Sequence, residues 1–158
     1  MKKGFTLYIV IILVVIGTLI WLAFSRSEKS EAPITSLITY TNSSDNLIKV
    51  ELPFPGAVVG KEFSVIGEAR GTWFFEASFP IEVVDKNGKV IATAIAQAQP
   101  DPETNEINWM TENFVPFKAD IKVPQNYIGE ATLVLKKDNP SGLPEHDASI
   151  SFQINVEY

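Results

Sequence analysis

The feature that most restricts this chain is an uncharged run from Phe5 to Phe24, FTLYIVIILVVIGTLIWLAF. At about 1.5 Å per residue it spans roughly 30 Å as a helix, the thickness of a bilayer's hydrocarbon. Its Ile and Val residues favour strand in water, but in lipid every backbone N–H needs a partner inside the segment, which forces helix. Tyr8 and Trp21 stand near the two ends, where amphipathic rings favour the membrane interface. Lys2 and Lys3 precede the run and Arg26 and Lys29 follow it, a small charge bias that orients the N-terminus inward. Residues 1–24 are therefore expected to form one N-terminal transmembrane helix, an uncleaved signal-anchor. The rest of this single-pass protein is then expected on the extracytoplasmic side.

Two other fates compete for the same segment. Ala23-Phe24-Ser25 has the small residues a signal peptidase needs, although the apolar run exceeds the usual h-region of about 7–15 residues. Cleavage there would give a secreted protein, for example a glycan-binding module. Lys2-Lys3-Gly4-Phe5-Thr6-Leu7 resembles the processing site of type IV pilin precursors, which are cut after the Gly. Pilins carry Glu at the fifth residue of the product, where this chain has Ile9, and their first helix extends well past the membrane. Pro33 and its Ser-rich surroundings stop such an extension. A type IV pilin-like (pseudopilin) subunit processed after Gly4 is thus an alternative to the anchor.

Residues 25–46 are polar and Ser/Thr-rich, the composition of a tether. Within them Leu37, Ile38 and Tyr40 form a short apolar patch able to add an edge strand. From Leu47 to the end the pattern is β. Ile150, Phe152, Ile154 and Val156 alternate with Ser151, Gln153, Asn155 and Glu157, the period of a half-buried strand. A long strand is expected from Trp73 to Val83, with Trp73, Phe75, Ala77, Phe79, Ile81 and Val83 inward and Phe74, Glu76, Ser78 and Glu82 outward. Asp85-Lys86-Asn87-Gly88 then supplies residues tolerant of positive φ, so the chain should reverse into Val90, Ala92 and Ala94. Further strands are expected around Ile48-Val50-Leu52, Phe63-Val65-Gly67, Phe117-Ala119-Ile121-Val123 and Ala131-Leu133-Leu135. Pro- and Gly-rich turns separate them. Short strands so punctuated predict an all-β, two-sheet sandwich of immunoglobulin type with about seven or eight strands, over residues 47–158.

Charge and composition remove several functions. With 13 Lys plus Arg against 19 Asp plus Glu, the net charge is −6. The basic field that supplies most nucleic-acid affinity is missing, so no nucleic-acid partner is expected. The chain has no Cys, which excludes disulfides, thiolate nucleophiles, Cys-based zinc sites and a lipidated N-terminal Cys.

A family likeness is carried by Ile48-x-Val50, Pro53, Pro55-Gly56, Phe63-x-Val65-x-Gly67-x-Ala69, and above all Gly71-x-Trp73-Phe74-Phe75-Glu76-Ala77-Ser78-Phe79. Asp85, Gly88, Trp109 and Phe114 follow. From about Ile48 to Val156 the chain resembles the immunoglobulin-like domain of bacterial spore-germination and related cell-envelope proteins. The resemblance implies an extracytoplasmic β-sandwich without enzyme activity.

Candidate chemistry is sparse. His146, the single histidine, lies in the loop Pro144-Glu145-His146-Asp147, and no nucleophile-elbow motif accompanies it. Asp101, Glu103 and Glu106 offer carboxylates for Ca²⁺ without the EF-hand spacing, and a solvated loop is the plainer reading. Glu76 stands among aromatics, whose burial raises a carboxyl pKa, yet no second carboxylate pairs with it for glycoside chemistry. The aromatics carry the binding expectation: Phe74 on an outer strand face, Glu76 beside it and Trp109 beyond a loop would form a surface site for a glycan or peptide. Trp109 as a core residue is the competing reading. No catalytic residue, metal or cofactor is expected. The chain reads as a non-enzymatic binding or scaffolding module of the bacterial cell envelope. Its partners are the membrane, through Phe5 to Phe24, and an envelope protein or cell-wall glycan.

Overall fold

A computed structural model describes residues 37–158. Among them no helix is long and apolar enough to cross a membrane. The expected anchor from Phe5 to Phe24, with its Gly4 junction, lies outside the described residues.

The described chain is all-β. In order it forms β1 (Thr39–Thr41), β2 (Ile48–Leu52), β3 (Val58–Val59), β4 (Glu62–Arg70), β5 (Ser78–Asp85), β6 (Val90–Ala98), β7 (Phe114–Lys122), β8 (Gly129–Lys136) and β9 (Ser149–Val156). These make one nine-stranded sheet in the order β1-β9-β8-β5-β6-β7-β4-β2, with β3 on the same side of β9 as a parallel partner. The excess over the expected strand number comes from β1 and β3, too short to leave a period in the sequence. β1 arises in the last part of the polar 25–46 stretch and pairs Tyr40 with Ile150, so the apolar patch there does add an edge strand.

The sheet curls, and β6 is the strand that turns the corner. Most of its length pairs with β5, from Val90 against Val84 to Gln97 against Ser78. Its last two residues, Gln97 and Ala98, pair with Lys118 and Phe117 of β7. Inward-facing alternate residues of both halves therefore meet in one core, which holds Phe79, Ile81 and Val83 of β5 together with Val65, Phe117 and Ile121. At its centre Phe79 touches three rings edge-on, at centroid distances of 6.2 Å to Trp73, 5.2 Å to Phe74 and 4.9 Å to Phe117. Each such side chain contributes about 1.5–3 kcal/mol by leaving water. Close approach needs Gly67, where an added Cβ would lie 2.2 Å from the Lys49 carbonyl oxygen and 2.8 Å from the Phe117 ring.

The long strand expected from Trp73 to Val83 is corrected. Gly71–Trp73 is a 3-10 turn, and β5 begins only at Ser78. Between them Phe75 and Ser78 exchange two backbone hydrogen bonds of 3.0 Å around Glu76 and Ala77, whose φ values are +50° and +61°. Two positive φ angles inside such a pair define the hairpin turn usually made by Asn-Gly. Because the turn interrupts the strand, parity holds for Phe79, Ile81 and Val83 but fails before it. Trp73 and Phe74 are both buried, and Phe75 is exposed.

The hairpin expected at Asp85–Gly88 is present. Gly88 has φ +82°, and the Asp85 carboxylate accepts the Asn87 and Lys89 N–H groups at 2.8 and 2.9 Å. These bonds favour the ionised form and hold the Asp85 pKa below its ordinary value, with the Lys89 N–H the largest cause.

Candidate functional site

Antiparallel order sends alternate connections to opposite ends of the sheet. One end collects residues 42–47, 71–77, 99–113 and 137–148, the connections β1–β2, β4–β5, β6–β7 and β8–β9. All the residues singled out from the sequence lie there: Phe74, Glu76, Asp101, Glu103, Glu106, Trp109 and His146. Their gathering is a consequence of topology, since they come from three separate connections: Phe74 and Glu76 from 71–77, Asp101, Glu103, Glu106 and Trp109 from 99–113, and His146 from 137–148.

The four connections brace one another. Arg70, at the end of β4, donates from Nε to the Asn46 carbonyl (3.0 Å) and from Nη1 to the Glu112 carbonyl (3.1 Å). Its guanidinium carbon also lies 4.0 Å from the centre of the Phe114 ring, and Lys49 Nζ lies 4.3 Å from the same centre. Asn42 Nδ2 donates to the Asp147 carbonyl (3.0 Å), and the Asp138 N–H donates to the Trp73 carbonyl (3.1 Å). At Gly71 the contact is backbone on backbone: its N–H reaches the Asn113 carbonyl (3.2 Å). A Cβ there would lie 2.3 Å from the Trp109 carbonyl oxygen and 2.0 Å from that of Thr111.

The 99–113 connection is long for one without regular structure, and such connections are commonly functional. Its first part is ordered by Asp101, whose Oδ1 accepts the Glu103 and Thr104 N–H groups, both at 2.9 Å. The Asp101 N–H donates to the Glu106 carbonyl (2.9 Å) and closes the turn. Hydrogen bonds from Thr104 and then Glu103 hold the Asp101 pKa below its ordinary value. That carboxylate thus serves its own loop, and among the described residues no group of three His, Asp or Glu side chains is arranged to hold a metal ion.

Phe74 is not the exposed aromatic expected from strand alternation. The residue is 5% exposed and its ring packs on Phe79, because the turn at Glu76-Ala77 interrupts the strand and breaks the alternation. Trp109 is half-buried against the core edge. Phe74 and Trp109 do line one shallow depression of about 420 Å³, together with Gly71, Met110 and Thr111, and Met110 is 78% exposed. Glu76 sits exposed on the adjoining turn and does not line it. Among the described residues the fully buried tryptophan is Trp73, at 2% exposure.

His146 is exposed, with Nδ1 3.0 Å from Ser141 Oγ. The Ser141 hydroxyl is also 2.5 Å from Asn139 Oδ1, and the Asp147 carboxylate accepts Asn139 Nδ2 (2.7 Å) rather than an imidazole N–H. Ser141, His146 and Asp147 thus stand together without the Ser–His–Asp sequence of contacts that activates a nucleophile. Their bonds brace the 137–148 connection.

Between the Asp101 turn and the start of β7 lies a second, polar cleft of about 220 Å³, bordered by Gln99, Glu106, Asn108, Thr111, Asn113 and Pro116. The sequence reading missed it. The available signal was the density of amide side chains between Gln97 and Asn113.

The Gly67-x-Ala69-x-Gly71 spacing, the buried Trp73-Phe74 pair and the turn at Glu76-Ala77 together form the structural signature of this end. The family model described as the immunoglobulin-like domain of bacterial spore germination matches residues 47–143, more than half of the chain. The chain belongs to this family. The match ends before β9, where the resemblance was expected to run to Val156. In this immunoglobulin-like domain, β9 nonetheless pairs with β8 along its whole length, from Gly129 against Val156 to Lys136 against Ser149. No curated protein and no solved structure matches the chain.

Proposed function

We propose that this protein is a membrane-anchored, extracytoplasmic immunoglobulin-like module that binds or scaffolds another component of the bacterial cell envelope and performs no chemistry itself. In this reading residues 1–24 are the anchor, the part of residues 25–46 that precedes β1 is the tether, and the presented domain is residues 47–158 together with β1 and the connection that follows it. The partner is an envelope protein or a cell-wall glycan.

One observation carries the reading. Four connections from one end of the sheet are locked together by Arg70, Asn42 and the Gly71 contact into a fixed, uneven surface. A surface ordered before binding loses little freedom when a partner arrives, which is the physical advantage of loops held on a rigid sheet. Membership of an immunoglobulin-like family supports it further. The uncharged run from Phe5 to Phe24 supports the anchor by length and composition.

The test is site-specific photocrosslinking of the full chain in intact cells. A crosslinker at Met110, on the braced end, should capture a defined partner, whereas one at Ile128, exposed at the opposite end, should not. Reproducible substrate turnover abolished by replacing His146 or a single carboxylate would instead make the protein an enzyme.

A further inference from the structure

We infer that the polar cleft between the Asp101 turn and β7 is a subsite for a neutral saccharide, and that the glycan continues past Thr111 onto Trp109. This rests on the binding-module reading and names its ligand class.

The cleft's walls are built before any ligand arrives. One wall is the turn that Asp101 closes through Glu103 and Thr104. The other is the 108–113 segment, seated on Gly71 and held by Arg70 at the Glu112 carbonyl. Gln99 holds the base, with its N–H on the Pro116 carbonyl at 2.7 Å. Among the described residues, the side chains of Glu106, Asn108 and Asn113 make no hydrogen bond. They face a cleft of about 220 Å³, smaller than the roughly 300–1,000 Å³ of drug-sized ligand sites. That size suits one sugar unit of a chain that runs on into solvent.

The lining selects the ligand by exclusion. No Lys or Arg borders the cleft, while Asp101 and Glu106 do, so phosphate-rich and carboxylate-rich polymers are repelled. Asp101 gives Oδ1 to its own turn, which leaves its Oδ2 and the Glu106 carboxylate, and among the described residues no group of three His, Asp or Glu side chains is arranged to hold a metal ion. Ca²⁺ requires about six to eight oxygen ligands, more than that arrangement provides. Apolar ligands would strand the amides without partners. What remains is a neutral molecule dense in hydroxyls. Each amide offers both a donor and an acceptor, as neighbouring sugar hydroxyls do, and Glu106 accepts from two hydroxyls at once.

A second observation gives the direction of the chain. Thr111 borders both this cleft and the depression that contains Trp109. A glycan leaving the amide subsite over Thr111 meets the half-buried indole, whose apolar face suits the C–H face of the next ring.

The experiment titrates the full chain in detergent with three tetrasaccharides: β-1,4-linked N-acetylglucosamine, cellotetraose and anionic tetragalacturonate. Calorimetry reads binding and tryptophan fluorescence reads the indole. At least one neutral probe should bind and the anionic one should not. Asn108→Ala and Glu106→Ala should each weaken binding about tenfold or more, and Trp109→Phe should weaken it and remove the fluorescence change. Glu130→Gln, at the far end of the sheet, should leave affinity unchanged. Matching thermal melts establish that the variants are folded. Failure of both neutral probes, or affinity indifferent to Asn108 and Glu106, overturns the assignment. If the Met110 crosslink still captures a protein partner in that case, the saccharide subsite has failed and the binding-module reading stands. If neither a saccharide nor a partner is found, both fail.

Discussion

Gly71 and Thr111 meet backbone to backbone, so closely that a single methyl group on Gly71 would lie 2.0 Å from the Thr111 carbonyl oxygen. The obstructing atoms are main-chain atoms on both sides, including the Trp109 carbonyl, and no rotamer change can clear them. Gly71→Ala is therefore expected to push the 108–113 segment off the end of the sheet. Overpacking of this kind costs about 1–3 kcal/mol, and the upper part of that range applies where backbone must move. Urea denaturation should show the loss, with amide shifts concentrated in residues 107–113. A variant as stable as the parent would mean that the contact is not tight.

The turn at Glu76-Ala77 places two side-chain-bearing residues in the left-handed region. Each carries a steric cost of about 1–2 kcal/mol that Asn or Gly largely avoids. The double change Glu76→Asn and Ala77→Gly should stabilise the domain by about 1 kcal/mol after the added backbone freedom of Gly in the unfolded chain is deducted. A thermal melt that moves down would show that Glu76 contributes more by its contacts than its backbone costs.

Acid should loosen the cleft before it unfolds the core. The Asp101 pKa is lowered in the folded protein by the Thr104 and Glu103 N–H bonds. The stabilisation it gives is present above its unfolded pKa, about 3.9, and fades as pH falls through the still lower folded value. Hydrogen exchange at the Glu103 and Thr104 amides should stay protected at neutral pH and lose protection in strongly acid solution. In Asp101→Asn the protection should be weaker and should lack that acid step. An unchanged acid step in the variant would assign it to another group.

The fate of the N-terminal segment is read by mass spectrometry of the protein from its native membrane. An intact Met1 is the expected result for the uncleaved anchor. A chain starting at Phe5 would show pilin-type processing after Gly4, and one starting at Arg26 would show secretion.

The strands were legible wherever a half-buried face imposes strict alternation, as in Ile150-Phe152-Ile154-Val156. They were also legible at Asp85–Gly88, whose residue types demand one turn. Alternation misled where a turn used residues that do not advertise it. Glu76 and Ala77 bear positive φ because the two backbone hydrogen bonds between Phe75 and Ser78 hold them there. No local preference signals this, and Phe74 was placed on the wrong face as a result. The polar cleft was hidden for a related reason. Its amides lie on a loop without a period, and their convergence depends on where Gly71 and Arg70 hold that loop.

The sequence by itself determined that an uncharged run of membrane-spanning length begins at Phe5, that the chain from Leu47 onward is β, and, through the residues of its motifs, that it resembles an immunoglobulin-like family. These are properties of periodicity, length and local residue choice, which act within a few neighbours along the chain. Only the tertiary structure decided that β6 turns the sheet from β5 to β7, that Trp73 and Phe74 are both core, and that four distant connections share one end. These outcomes depend on contacts between residues far apart in the chain, where burial and backbone closeness outweigh what any single segment prefers.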